Sequence, residues 1–375
     1  MDAWIAAAAE RIAARAPGEL ERMVAVSSPS GDVAGAEAAF AVAISLAPEG
    51  VRVERARCSS PGHADDLVLT LRGSGGGRIV LLGHVDTVVS HEDHRPLGRD
   101  GAHLTGSGTV DMKGGCVLAL GVLRELARCP ERFGEVALLL VCDEEWRAGD
   151  FAHTDRFAGY DACLCFEGGE LTPDGEEAVV VRRKAAGTLR ILAHGRSAHS
   201  GADPDRGANA LLALAAAAQA VAARHDPGGS QHLTAVPTVV RSGDAFNVVP
   251  AEGELLCDLR ADHIATFDEV LADLPASVDG VRLDAGLLRR WPGMDAGRRA
   301  APALAAAGER LGRPIHGTRR GGASDASYLA PVIDVTIDGL GPRGGGAHTP
   351  GEYVVEASLR TRAEVALALV DTALL

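Results

Sequence analysis

Two hydrophobic textures divide the chain. Leu138 to Val141 in "EVALLLVCDEE", and the residues from Val80 in "VLLGHVDTVV", are short apolar runs that stop abruptly at polar groups. Between them, "GGCVLALGVLRELARC" after Lys113 carries apolar residues at helical spacing. Strand, helix and strand in this order, with near-continuous apolar strands, predict a largely parallel sheet covered on both faces. Functional groups in such sheets gather beyond the carboxyl ends of the strands. From about Glu177 the pattern changes. "EEAVVVRRKAAGTLRILAHG" and "LTAVPTVVRSGDAFNVVPAEGELLCDLRA" alternate, as antiparallel strands with one solvated face do. "GADPDRGANALLALAAAAQAVAARH" predicts a long Ala-rich helix beginning near Pro204 and Asn209, and "HIATFDEVLADL" predicts another. After about Arg289 helix, strand and loop return. The expected fold class is a discontinuous α/β domain, residues 1–180 and 290–375, with a mostly parallel central sheet flanked by helices. A smaller α+β domain at 181–289 interrupts it. No internal repeat is present.

Composition narrows this picture. A length of 375 residues exceeds the usual single core and suits two or three domains. Aromatic residues make up only 3%, so the core must be built from Ala, Val and Leu. A formal charge of -14 argues against a nucleic-acid partner, which requires a basic face to neutralise phosphates. The N-terminal segment "MDAWIAAAAERIAARAPGELERMV" is interrupted by Glu10, Arg11 and Arg15, and reads as an amphipathic helix rather than a signal peptide or membrane span. A cytoplasmic location with no membrane partner is expected. The seven cysteines lack paired spacing and are expected to be small buried thiols, with Cys163 and Cys165 on one strand. "GSGGG" from Gly73 is expected to form a hairpin tip. It has no strand-to-helix context for phosphate binding, which disfavours a nucleotide-dependent enzyme.

The chemistry lies at the strand ends. "LLLVCDEEWRAGD" places Asp143, Glu144 and Glu145 side by side after an apolar run, where like charges repel and resist burial. His84 and Asp86 stand in "GHVDT", Asp111 in "GSGTVDMKGG", Glu167 in "CFEGG" and His348 in "GGGAHTPGEYV". Two imidazoles and several carboxylates, each after an apolar strand or a Gly-rich turn, are what a two-metal hydrolytic site requires. Zinc accepts both nitrogen and oxygen ligands, and two ions about 3.5–4 Å apart need a ligand that spans them. Three ligand carboxylates and one hydroxide would balance about four positive charges with both histidines neutral. One member of the Glu pair is then free to act as a general base towards a water whose pKa a metal lowers to about 7.

The set "GHVDT", "VDMKGG", "CDEEW", "CFE", "SAHSG", "NVVP", "DLR" and "GGGAHT" resembles the M20 metallopeptidase family, the group of glutamate carboxypeptidases, aminoacylases and desuccinylases. The resemblance runs in order through nearly the whole chain. It implies a small peptide or N-acyl amino acid substrate and two Zn2+ ions, with Co2+ or Mn2+ also compatible. It implies that His84, Asp111 and Glu167 hold one ion, that Asp111 bridges to a second held by Glu145 and His348, and that Glu144 is the general base. Asp86 would orient His84. The insert would be a lid domain through which a homodimer forms. His199 in "GRSAHSGADP" would reach across that dimer to the scissile carbonyl oxygen. Asn247 and Arg260 would bind the substrate's terminal carboxylate, with Arg319 a further candidate beside Arg320.

One departure stands out. The family usually follows the Glu pair with a Gly-Ser step after one residue, whereas here Trp146, Arg147 and Ala148 precede Gly149. Of the other histidines, His63, His91, His94, His103 and His153 are expected in loops or at the surface, and His194 lies before the turn that carries His199. Asp325 is expected to cap a helix. Gly114 and Gly115 are expected to permit tight packing where the metal loop turns into its helix. The features of "CFEGG", "RRKAAG" and "ARHDPG" are most similar to the glutamate carboxypeptidase group. An N-acyl-amino-acid deacylase, of the acetylornithine or succinyl-diaminopimelate type, is the alternative. A reading of another class is an inactive protein that binds amino-acid derivatives.

Overall fold

The strand Arg78–His84 runs through the middle of a six-stranded sheet and delivers His84 at its carboxyl end. The computed structural model describes residues 1–374. In order across the sheet stand Arg52–Ala56, Asp66–Arg72, Glu135–Val141, Arg78–His84, Ala162–Cys165 and Val335–Ile337. The last four run parallel to one another. Asp66–Arg72 pairs antiparallel with both Arg52–Ala56 and Glu135–Val141, so the sheet is mixed, with four of its six strands mutually parallel. Alternate residues of each strand feed one core: Leu67, Leu69, Ile79, Leu81, Leu138 and Leu140. The residues between them, such as Val68, Val80, Leu82 and Leu139, are equally buried but belong to the opposite face. Burial on both faces is why these strands are apolar without interruption.

Helices Ala3–Val24, Gly114–Ala127, Gly297–Leu311 and Ser358–Ala373 share this core. Asp2 caps the first by accepting hydrogen bonds from the Trp4 and Ile5 backbone N–H groups. Its buried stripe of Ile5, Ala8, Ala9, Ile12, Ala16 and Leu20 has helical spacing. Among the described residues no helix is long and apolar enough to cross a membrane.

Two compact units result. The first comprises Met1–Arg182, Asp295–Arg319 and Ser324–Leu375, and the second Arg183–Met294 and Arg320–Ala323. The second holds an antiparallel sheet in the order Thr234–Ser242, Glu252–Ala261, Ala185–His194, Val281–Trp291 and Ser277–Val278. Ala185–His194 alternates strictly between buried and half-buried positions, and its buried residues meet the helix Ala210–Ala223, capped by Asn209. Val281–Trp291 was not legible as a strand. Leu287 and Leu288 stand together after Gly286, and the ladder shifts register between Thr188 and Leu189, which breaks the period-2 signal.

The glycine run at Gly73 corrects the expected hairpin. The strands on either side of it are not partners, because Glu135–Val141 lies between them. The run instead crosses that strand's approach, with Gly73, Ser74 and Gly75 donating N–H bonds to the carbonyls of Gly134, Pro130 and Phe133. A Cβ at Gly73 would lie 2.2 Å from two of those carbonyl oxygens, so close approach rather than turn geometry demands glycine there.

Gly115 meets the expectation of tight packing. A Cβ there would lie 1.8 Å from the carbonyl oxygen of Phe166, next to Glu167. Gly115→Ala is expected to destabilise the protein by about 1–3 kcal/mol or more. Gly76→Ala, where nothing lies within 4 Å, is the control and should stay within about 0.5 kcal/mol. Urea denaturation of the two variants checks the difference.

Candidate metal centre

The parallel strands end in register. His84 pairs with Val141, and Leu82 with Cys165, so His84, the Asp143–Glu145 run and Glu167 emerge along one edge. The turn Thr109–Lys113, which contains a cis peptide between Asp111 and Met112, brings Asp111 to the same edge. Donor atoms of His84, Asp111 and Glu167 lie within 4.8 Å of one another, as do those of Asp111, Glu145 and His348. Asp111 belongs to both sets. One of its oxygens is 3.1 Å from His84 Nε2 and the other 3.0 Å from His348 Nε2.

Each imidazole aims its Nε2 at carboxylates. His84 Nε2 is also 3.7 Å from Glu167, and His348 Nε2 is 3.1 Å from Glu145. Without a cation, protons must supply the missing positive charge. Hydrogen bonds to Asp111 and Glu145 raise the His348 pKa to about 10. Burial opposes charge on His84, yet hydrogen bonds with Asp111 and Asp86 and the nearby Glu167 charge raise it well above the usual range. Burial also works against the Asp111 carboxylate, but the two imidazoles hold its pKa well below normal. Divalent ions in the two sets would replace these protons. His84 Nδ1 lies 3.0 Å from the backbone carbonyl of Asp86, so in the neutral ring it carries the hydrogen and leaves Nε2 free to ligate. The mixed nitrogen and oxygen donors fit zinc and its neighbours.

Glu144 belongs to neither ligand set. Burial pushes its carboxyl pKa well up, aided by the charges of Glu167, Asp325 and Glu145 and opposed by His84. Asp86 positions it through the backbone. Its carboxylate accepts the N–H groups of Glu144 at 3.2 Å and Glu145 at 3.0 Å, and stands 3.4 Å from His84 Nδ1. One buried acid thus fixes both the imidazole and the Glu pair.

One further residue of the site was not legible in the sequence. Glu352, 3% exposed, accepts N–H bonds from Gly108, Val110 and Asp111 and so clamps the turn that presents the shared carboxylate. The only signal was its place four residues after His348 in "HTPGEYV". His348 itself has a φ of 64°, a left-handed conformation that costs a non-glycine residue energy and places the ring beside Asp111 and Glu145.

The departure after the Glu pair has a structural account. Arg147 is 3% exposed, and its guanidinium binds Asp143 at 2.7 Å and also Asp325. Phe151 and Tyr328 stack on each other and both face the guanidinium. Ser60 donates to Asp143 and accepts the Ala148 N–H, closing the loop. This corrects the expectation for Asp325: its side chain makes no capping bond to the helix Ala326–Leu329 and serves Arg147 instead. His153 lies in a turn, as expected, but is buried there. It is 3% exposed, with Nε2 2.7 Å from Asp66, rather than at the surface.

The other sequence candidates are members of neither ligand set. His199, Asn247 and Arg260 belong to the second unit. The Ser200 N–H donates to the Asn247 carbonyl, and His199 bridges antiparallel to Val248, so His199 and Asn247 share one edge. His199 Nδ1 accepts N–H bonds from Gly201 and Ala202, which fixes the hydrogen of the neutral ring on Nε2. Arg260 pairs with Asp258 two residues away on the same strand. Arg319, in the first unit, is exposed on the strand His316–Arg320, and with Arg182 and Thr318 lines a cavity that shares no residue with the ligand sets.

Glu352→Ala is expected to weaken metal affinity by about 10–100-fold with the fold retained, read by chelator competition alongside circular dichroism. Arg147→Met leaves Asp143 and Asp325 as buried acids without their cation. It should lower unfolding free energy by about 3–5 kcal/mol in urea titration.

The model of peptidase family M20/M25/M40 matches residues 80–372. The chain is 27% identical over 374 residues to carboxypeptidase G2 of a Pseudomonas species (strain RS-16), covering 94% of this chain and 87% of that protein. It is 31% identical over 367 residues to succinyl-diaminopimelate desuccinylase of Xanthomonas euvesicatoria, covering 90% and 93%. In fold it resembles a tripeptidase from Staphylococcus aureus, with a TM-score of 0.77 at 20% identity, covering 96% of this chain and 98% of that one. With this match over most of its length, the chain belongs to peptidase family M20/M25/M40, a family of metal-dependent peptidases and amidohydrolases.

Proposed function

We propose that the protein is a two-zinc amidohydrolase of the glutamate carboxypeptidase type, cleaving an amide bond next to an amino acid with a free carboxylate. The observation that carries this reading is Asp111, shared by two ligand sets, with Glu144 left over beside them. Cobalt or manganese would suit the same donors. Divalent ions bound there would polarise the scissile carbonyl and acidify a water.

The residues divide the remaining work. Glu144 takes the proton of the attacking water and later delivers it to the departing amine. Asp86 keeps that carboxylate and Glu145 in place through their backbone N–H groups. His199 offers its Nε2–H to the substrate's carbonyl oxygen, a donor that counts most as negative charge develops there. The bonds at its Nδ1 support this role by fixing the tautomer. Asn247 and Arg260 bind the substrate carboxylate. Arg260 would exchange or share its Asp258 pairing, and a guanidinium suits a bidentate acid. Arg319 is an additional candidate for the same task.

The second unit acts as a lid and joins two copies into a homodimer. Supporting this, its edge strand Thr234–Ser242 exposes Val236 and Val240 at 42% and 55%, and the adjoining helix exposes Leu211 and Leu212 at 44% and 63%. An unpaired strand edge with apolar side chains is a pairing surface. The relative at 31% identity favours a second reading, an N-acyl-amino-acid deacylase with the same machinery and a different acyl group. An inactive binding protein is disfavoured by the complete ligand sets and the spare Glu144.

Chelation should abolish hydrolysis, and Zn2+, Co2+ or Mn2+ should restore it. Glu144→Gln should lower kcat by about 10²–10⁴-fold with metal content unchanged, measured by steady-state kinetics and metal analysis. In a panel of C-terminal glutamyl amides, N-succinyl and N-acetyl amino acids, the glutamyl amides should turn over best. Turnover confined to the N-acyl series moves the assignment to the deacylase.

A further inference from the structure

Four buried side chains outside the catalytic reading meet at one place in the first unit. Cys58 follows the strand Arg52–Ala56, Asp66 opens Asp66–Arg72, Cys142 follows Glu135–Val141, and His153 precedes the helix Thr154–Phe157. Their exposures are 5%, 0%, 2% and 3%. Donor atoms of Cys58, Asp66 and Cys142 all lie within 4.8 Å of one another, and His153 Nε2 is 2.7 Å from Asp66 Oδ2. Asp66 also accepts the Cys142 N–H at 3.1 Å.

A fully buried carboxylate is costly unless a cation or several hydrogen bonds compensate it. Asp66 has an imidazole as its ion-pair partner, not an ammonium or guanidinium. Two thiols, a carboxylate and an imidazole are all donor types that zinc accepts, and four of them suffice for a closed tetrahedral site. The catalytic ligand sets contain no sulfur, so this group is chemically distinct from them.

We propose that Cys58, Asp66 and Cys142, with His153 as the fourth donor, bind one further divalent ion of the zinc class in a structural site. On binding, each thiol loses its proton to solvent, and the ion takes two thiolates, one carboxylate and one neutral imidazole. In the metal-free arrangement the Cys142 thiol donates to the Ala64 carbonyl at 3.2 Å, a bond that metal ligation would replace. Cys142 directly precedes Asp143, Glu144 and Glu145. The ion would therefore pin the end of the strand that carries the general base to the start of its antiparallel neighbour.

The test uses the full-length protein reconstituted with Co2+. Thiolate ligation gives a ligand-to-metal charge-transfer band in the near ultraviolet, which nitrogen and oxygen ligands do not. The expected result is that band in the wild-type protein, its loss in Cys58→Ser and Cys142→Ser, and a metal content lower by one ion per chain. In the zinc protein, X-ray absorption should place sulfur at about 2.3 Å from part of the metal, a measurement that needs no variant and survives any folding failure. Absence of both the band and the sulfur scatterer overturns the site. So does a band that persists in both variants, or a Cys58–Cys142 disulfide in protein purified without oxidant. None of these readouts is activity, so a failed amidohydrolase assignment and a failed third ion remain distinguishable.

Discussion

One carboxylate holds the site together. Asp111 stands between two imidazoles, and each of its oxygens faces one of them. An acid in that position is tolerable only with positive charge on both sides, supplied by protons on the rings or by metal ions between them. The surrounding structure serves that demand. Glu352 grips the backbone around Asp111, Asp86 fixes His84 and the Glu pair, and Gly115 lets the helix behind Asp111 approach the Phe166 carbonyl. The crowded acids after Val141 are sorted by it as well. Asp143 is neutralised by Arg147, Glu145 faces His348, and Glu144 stays free.

The Arg147 cluster shows how a local departure is absorbed. A buried guanidinium in place of a small-residue step would be ruinous alone. Asp143, Asp325 and the flanking Phe151 and Tyr328 rings make it a closed ionic unit directly under the loop that carries Glu144. The loop is therefore held by charge pairing. Arg362 plays a comparable part elsewhere. It is buried at 0% exposure against Glu177 and the backbone carbonyls of Ala178 and Gly341.

Much of the fold was legible because hydrophobic periodicity follows burial. The apolar runs at Val80 and Leu138 became strands covered on both faces, and the Ala-rich segment after Asn209 became one helix. What failed did so through a local irregularity in one case and non-local strand pairing in the other. Val281–Trp291 hides its alternation behind a leucine pair and a register shift. The Gly73 run resembles a hairpin turn, yet the intervening strand comes from sequence some sixty residues later, and strand order across a sheet leaves no trace in a local pattern. The central sheet, expected to be mostly parallel, is parallel across four strands and antiparallel at Asp66–Arg72, a pairing that depends on the same non-local choice.

For the site, the sequence alone determined the chemical inventory: which imidazoles and carboxylates end strands or follow Gly-rich turns. That inventory is read from residue type and position, which the sequence carries directly. Only the tertiary structure decided who neutralises whom. That Asp111 faces both rings, that Glu352 reaches back to its turn, that Asp325 serves Arg147 and that His153 is buried against Asp66 are all long-range pairings. They arise because burying a charge requires a partner, and the fold brings that partner from wherever the chain supplies it.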